Sequence, residues 1–124
     1  MQSLEEGLFL LEDQGFSVER DTPDPRCLLR VVVGLLRRAL DNMVSNLRKY
    51  ADPSVPLKLR WRQRDGRFEL ELSNRVRTAP KVQSTGLGLK TCERILALHG
   101  GSFETREENG WFTVHTCLPC QQLK

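Results

Sequence analysis

Within "RRALDNMVSNLRKYAD", Arg37 to Asp52, several polar side chains stand at a spacing that could do chemistry. Asn42 and Asn46 are four residues apart, so on a helix they share one side, and Lys49 and Tyr50 continue that side a turn later. An amide carbonyl is a hard oxygen ligand of the kind Mg²⁺ accepts, and a lysine ammonium is a compact charge suited to a phosphate. A lone asparagine on a core stripe is ordinarily satisfied by backbone or by a buried water. Two amides in step with a lysine are harder to explain as packing.

The second stretch is "STGLGLKTCERILALHGG", Ser84 to Gly101, which enters a helix through Gly86 and Gly88, residues that weaken helices. Without a Cβ, the backbone there can be approached closely, and the unpaired N–H groups of a first helical turn attract anions. Taken alone, a G-x-G pair is as readily a simple turn. A magnesium ligand on one helix and a phosphate cradle at the start of another would together make a nucleotide cleft.

Periodicity supplies the elements that must position these residues. "SLEEGLFLLEDQGF" places Leu4, Leu8 and Leu11 at helical spacing and predicts a short helix ending near Gly15; "FSVER" reads as a short strand. From Pro25 to Tyr50, Leu28, Val32, Leu35, Leu36, Ala39, Met43 and Leu47 recur at three and four, and Asp24-Pro25 makes a good cap. One long helix is predicted there, in spite of the Val31–Val33 run, with Asn46 on the face of its core stripe and Cys27 within it as a small apolar residue.

Leu57, Leu59 and Trp61 then alternate with Lys58, Arg60 and Arg62. After Asp65-Gly66, Phe68, Leu70 and Leu72 alternate with Glu69 and Glu71, which predicts a hairpin. Its basic face pairs with its acidic face, a plainer account of "RWRQR" than a nucleic-acid stripe. Arg75 to Thr85 lacks a period and reads as a loop, with Arg75 and Arg77 more readily solvated charges than groups that reach phosphate. A helix follows over about 88–99, stopped by Gly100-Gly101, and a second hairpin turns at Asn109-Gly110. The predicted class is α+β: a mostly antiparallel sheet with helices over one face, in two layers.

Composition is consistent with that picture. The 124 residues, 39% hydrophobic, suit one domain, and a net charge of +3 from scattered charges does not indicate nucleic acid. No apolar run approaches a membrane span, and the four cysteines lack the density of a secreted scaffold, so a reducing cytosol is expected. "HTCLPC" could open a zinc site, but His115, Cys117 and Cys120 have no second ligand pair at suitable spacing.

"NMVSNLRKYAD", a hairpin, "STGLGLKTCERILALHGGSFE" and a hairpin ending "CLP" together resemble the catalytic ATP-binding domain of bacterial sensor histidine kinases. That domain lies within the superfamily that also holds gyrase, Hsp90 and MutL, and the resemblance runs from about Phe16 to Pro119. It implies a Bergerat-type two-layer fold with ATP and Mg²⁺ as ligands. Asn46 would coordinate the magnesium, Lys49 would touch phosphate, and Tyr50 would line the pocket. Asn42 stands where hydrolytic relatives place a water-activating glutamate, and an amide cannot serve as a general base. Gly86, Leu87, Gly88 and Leu89 would form the backbone cradle, with Thr85 as a side-chain donor.

The sequence departs from the family at its Asp-x-Gly-x-Gly box, where "ELSNRVRTAP" stands instead. Asn74 falls at the aspartate, and its carbonyl could accept the adenine amino group without the charge. Both glycines are missing, and 75–85 makes a short lid. Neither His99 nor His115 is placed as a phosphoacceptor. The resemblance therefore implies a cytoplasmic catalytic domain, its first helix (1–15) continuing from an upstream region. It would transfer the γ-phosphoryl group to a histidine on the dimerisation domain of a parent kinase, with a response regulator downstream and no direct membrane or nucleic-acid contact. Two readings compete: a regulatory module of this fold that binds a kinase or response regulator but little nucleotide, and an anti-sigma-type serine kinase.

Overall fold

The computed structural model describes residues 2–22, 27–77 and 87–122. In chain order the elements are α1 (Gln2–Asp13), β1 (Val18–Asp21), β2 (Cys27–Leu28), α2 (Val33–Tyr50), β3 (Leu57–Arg64) and β4 (Arg67–Arg75), then α3 (Leu87–Leu98), β5 (Ser102–Glu108), β6 (Trp111–Pro119) and β7 (Gln121–Gln122).

Strand alternation builds the sheet. Leu57, Leu59 and Trp61 of β3 are buried between exposed lysine and arginines, and Phe68, Leu70 and Leu72 of β4 are buried between half-buried glutamates. Both hairpins close as their sequences require, with Asp65 and Gly66 at φ 52° and 75° and Asn109 and Gly110 at 54° and 81°. Positive φ at both central residues is the signature of a type I′ turn, whose twist matches that of the strands. The five strands lie in the order β1-β3-β4-β6-β5, with β1 parallel to β3 and the other pairs antiparallel.

On the outer face Arg60 meets Glu71 at 2.7 Å and Arg62 meets Glu69 at 3.2 Å, the cross-strand pairing expected of "RWRQR". The helices cover the other face. Leu8 and Leu11 of α1, Ala39, Leu40, Met43, Val44 and Leu47 of α2, and Cys92, Ile95 and Leu96 of α3 join the inward residues of the sheet in one core. Mixed sheet and helical layer together give the two-layer α+β class.

The start of α2 differs from expectation. Helix begins only at Val33, after Val32 at φ −81°, ψ 108°, and Cys27 and Leu28 instead form β2, paired antiparallel with Gln122 and Gln121 of β7. Asp24-Pro25, the anticipated cap, lies outside the described residues. The Val31–Val33 run accounts for the late start: β-branched side chains lose χ1 freedom in a helix and fit extended backbone. Two extended segments close enough to pair then satisfy their backbone groups as a ladder. Cys27 is accordingly a strand residue, and Leu28 does not extend the α2 stripe.

In place of a conventional cap, the Val32 N–H donates to Nε2 of His99, 2.9 Å away at the far end of α3. Nε2 accepts, so the neutral ring carries its proton on Nδ1, which donates to the Ile95 carbonyl at 2.7 Å. α3 itself ends in a Schellman arrangement: Gly100, at φ 74°, donates to Ala97 at 3.0 Å and Gly101 to Leu96 at 2.9 Å.

Cys92 is fully buried, and its thiol donates to the Ala39 carbonyl at 3.2 Å. Burial pushes its pKa from 9.0 up to about 11. A raised folded-state pKa contributes stability that is fully present below about 9 and is lost as pH rises through about 11. Denaturant midpoints should therefore fall for the wild type between pH 8 and pH 10.5, roughly the range in which an unperturbed thiol ionises. They should fall less in Cys92→Ala, and equal losses in both proteins would refute the assignment.

Candidate functional site

α2 and α3 run antiparallel, in a register set by side-chain-to-backbone bonds. Val32 meets His99 at one end, Ala39 meets Cys92 in the middle, and Asn42 Nδ2 donates to the Gly88 carbonyl at 3.3 Å near the start of α3. Small residues at 39 and 92 let the helices approach closely in the middle of the contact. The last turns of α2, which carry Asn46, Lys49 and Tyr50, therefore run on past the beginning of α3.

Each of those residues sits differently. Asn46 is half-buried, and its amide bonds to none of the described residues; Lys49 is exposed. Tyr50 is half-buried with its hydroxyl enclosed, and that hydroxyl has no hydrogen-bond partner among the described residues. An enclosed, unpaired hydroxyl is costly, so it is a group a ligand could satisfy.

Gly88 is exposed and helical, and a Cβ there would meet only Asn42 Cβ and Cγ, both at 3.9 Å, an ordinary contact. Packing among the described residues gives no reason for glycine at this position. Leu87 opens α3 and Leu89 packs partly buried against the core. Thr85 and Gly86 lie outside the described residues.

Asn74 is the last inward residue of β4, following Phe68, Leu70 and Leu72, and is only 1% exposed. It lies opposite Phe112 of β6, and its Nδ2 donates to the Arg75 carbonyl at 3.2 Å. A neutral amide tolerates such a place better than an unpaired carboxylate would.

The ends of β4 and α2 are fastened together, which brings Asn74 and Tyr50 to the same corner. Asp52 N–H donates to the Arg75 carbonyl at 2.7 Å, Arg77 N–H to the Tyr50 carbonyl at 2.8 Å, and Ala51 bridges Val76. Arg77 reaches further: Nε donates to the Ala51 carbonyl at 2.8 Å and Nη2 to the Arg48 carbonyl at 3.3 Å. Arg75 Nη1 donates to the Asn109 carbonyl at 2.7 Å, and Val76 N–H to the Gly110 carbonyl at 2.9 Å.

The two arginines expected in a solvated loop are thus bonded to backbone. β4 continues through Arg75, and a helix end offers orphan carbonyls that a guanidinium fork can serve. Just beyond, Asp52 Oδ1 accepts from the Ser54 hydroxyl at 2.7 Å and its N–H at 2.9 Å; these contacts hold the carboxyl below its usual range, the hydroxyl having the larger effect.

Most of the predicted site residues converge here: Asn42 and Gly88 touch, Asn46, Lys49 and Tyr50 follow along α2, and Asn74 closes the corner. Sequence reasoning missed Arg77 as a cap and His99 as a clasp. The His-Gly-Gly stop was the only signal for the latter, and it named the turn and not the ring's partner. Among the described residues no helix is long and apolar enough to cross a membrane.

The sheet thus lies under antiparallel helices, and the asparagine-bearing α2 meets the glycine in the first turn of α3. The chain matches the family described as histidine kinase-, DNA gyrase B-, and HSP90-like ATPase over residues 32–122, and it belongs to that family. It is 28% identical over 106 residues to sensor histidine kinase YrkQ of Bacillus subtilis (strain 168), covering 85% of this chain and 24% of the relative. It thus spans about a quarter of that curated relative's length. The fold is similar to that of the mycobacterial sensor histidine kinase MprB, at TM-score 0.80 and 18% identity over 98% of this chain and 95% of the other. Full-length ShkA, solved in complex with AMPPNP, matches at TM-score 0.76 and 22% identity over 98% of this chain and 30% of its own.

Proposed function

We propose that the chain is the Mg-ATP-binding catalytic domain of a sensor histidine kinase, transferring the γ-phosphoryl group to a histidine on a dimerisation domain outside it. One observation carries this reading. The Asn42–Gly88 bond fixes α2 against the start of α3, Asn46, Lys49 and Tyr50 follow one to two turns further along α2, and Gly88 has no packing reason in the described structure. A nucleotide would account for that glycine, for an Asn46 amide and for a Tyr50 hydroxyl that have no partner among the described residues.

The roles follow from the groups present. Asn46 Oδ1 would hold Mg²⁺, which when bound would supply positive charge to offset that of the phosphates. Lys49 would meet phosphate as a point charge, and the first N–H groups of α3 would meet it as dipoles. Asn42 Nδ2 donates to the Gly88 carbonyl, so Asn42 fastens the helix start, and as an amide it would serve as no general base for water. This suits a domain that transfers phosphate to a side chain and spends none on hydrolysis, and the work is positioning. Asn74, its Nδ2 turned to the Arg75 carbonyl, would offer Oδ1 as the acceptor for a base amino group. A response regulator downstream and a cytoplasmic setting belong to this reading.

The test is calorimetric titration of a non-hydrolysable ATP analogue with and without Mg²⁺. Mg²⁺-dependent binding at micromolar to sub-millimolar strength, roughly −5 to −8 kcal/mol, is expected. Gly88→Ala should weaken binding while leaving the melting temperature unchanged or slightly raised, since its Cβ meets nothing tight and alanine favours helix. The absence of the family's two glycines, whose places after Asn74 are taken by Val76 and Thr78, with Val76 N–H bonded to the Gly110 carbonyl, favours one second reading: a regulatory module with little nucleotide affinity. No binding at millimolar analogue would put that reading first.

A further inference from the structure

At its C-terminus α2 presents the negative end of its macrodipole, the wrong sign for polyphosphate, in the same turns that carry Asn46, Lys49 and Tyr50. Arg77 answers this directly. Its backbone N–H and its guanidinium donate to three carbonyls of that end, those of Tyr50, Ala51 and Arg48. The guanidinium is thereby committed to the helix, while Lys49 remains exposed and engaged with no described carboxylate.

We propose that Arg77 is a positioning residue for the polyphosphate of the nucleotide. By neutralising and fixing the end of α2, it leaves the charge of Lys49 free to act on phosphate. The proposal rests on the nucleotide reading above and adds to it a charge that touches no ligand. A cap with only a packing role would support every part of the ligand equally. An electrostatic cap supports the phosphates and leaves the nucleoside unaffected, and its effect is screened by salt.

The experiment compares the affinities of a non-hydrolysable ATP analogue with Mg²⁺ and of adenosine, for the wild type, Arg77→Gln and Arg77→Lys, at low and high salt. Arg77→Gln should lose about fivefold in analogue affinity at low salt. The loss should shrink at high salt, with adenosine affinity unchanged. Arg77→Lys keeps the charge without the fork, so it should stay within about twofold of wild type even where it melts lower. Equal, salt-independent losses for both ligands in Arg77→Gln would overturn the proposal. So would a large loss of analogue affinity in Arg77→Lys, which serves where Arg77→Gln does not fold. Wild-type protein that binds no analogue at all would sink the nucleotide reading, and this proposal with it.

Discussion

Asn46→Ala should lose Mg²⁺-dependent binding of a non-hydrolysable ATP analogue by about 100-fold or more, since it removes the side chain assigned to the metal and not merely one that orients it. The same substitution should leave the fold as stable or slightly more so. The amide of Asn46 makes no hydrogen bond to a described residue, and alanine is the better helix former by about half a kcal/mol. Affinity and stability thus move in opposite directions, a combination that general damage does not produce. Calorimetry in the presence of Mg²⁺, paired with a thermal melt, reads both. Unchanged affinity would remove Asn46 from the site, and a melting temperature lower by several degrees would make it a structural amide. Asn42→Ala is the useful contrast, because it sacrifices the bond to the Gly88 carbonyl and should cost some stability.

The largest effect on folding is expected at Gly101. A Cβ built there would run into the backbone carbonyl oxygen of Cys117 and stand 3.1 Å from Leu118 Cδ2. Backbone inside a paired strand cannot step aside as a flexible side chain does, so Gly101→Ala should destabilise by about 3 kcal/mol or more. That corresponds to a melting temperature lower by about 10 °C. Its neighbour is glycine for a different reason. Gly100 stands at φ 74° with only Pro119 Cγ near, 3.6 Å from a built Cβ, so Gly100→Ala should cost only the left-handed backbone penalty, about 1 kcal/mol. Equilibrium denaturation of both variants checks the ordering; a Gly101→Ala protein as stable as Gly100→Ala would show that β6 yields more easily than its pairing suggests.

Much of this was legible in the chain because the relevant signals are local. The β3–β4 alternation, the Asp65-Gly66 and Asn109-Gly110 turns and the double-glycine stop each follow from a few adjacent residues, and each formed as read. The spacing of Asn42, Asn46, Lys49 and Tyr50 was likewise a local fact, and it needed only that α2 be helical there. What escaped was decided at long range. Cys27 and Leu28 fit a helical pattern, but became strand because Gln121 and Gln122, at the other end of the sequence, offered them a ladder. Arg77 read as a solvated charge until β4 carried it to the end of α2, and no periodicity announces that meeting. Asn74 was placed by its position after the strand; the direction of its amide depends on the Arg75 carbonyl and is visible only in the folded chain.

The clasp between His99 and Val32 bears on the opposite end of the helix pair. Bonds at 32–99, 39–92 and 42–88 are spread along the contact, so α3 cannot slide along α2 by a residue without breaking all of them together. The two helices consequently behave as a single ruled edge. Whatever displaces the His99 end must carry Gly88 past Asn46 by the same amount, and the geometry of the proposed cradle is set as much at its remote end as at the cradle itself.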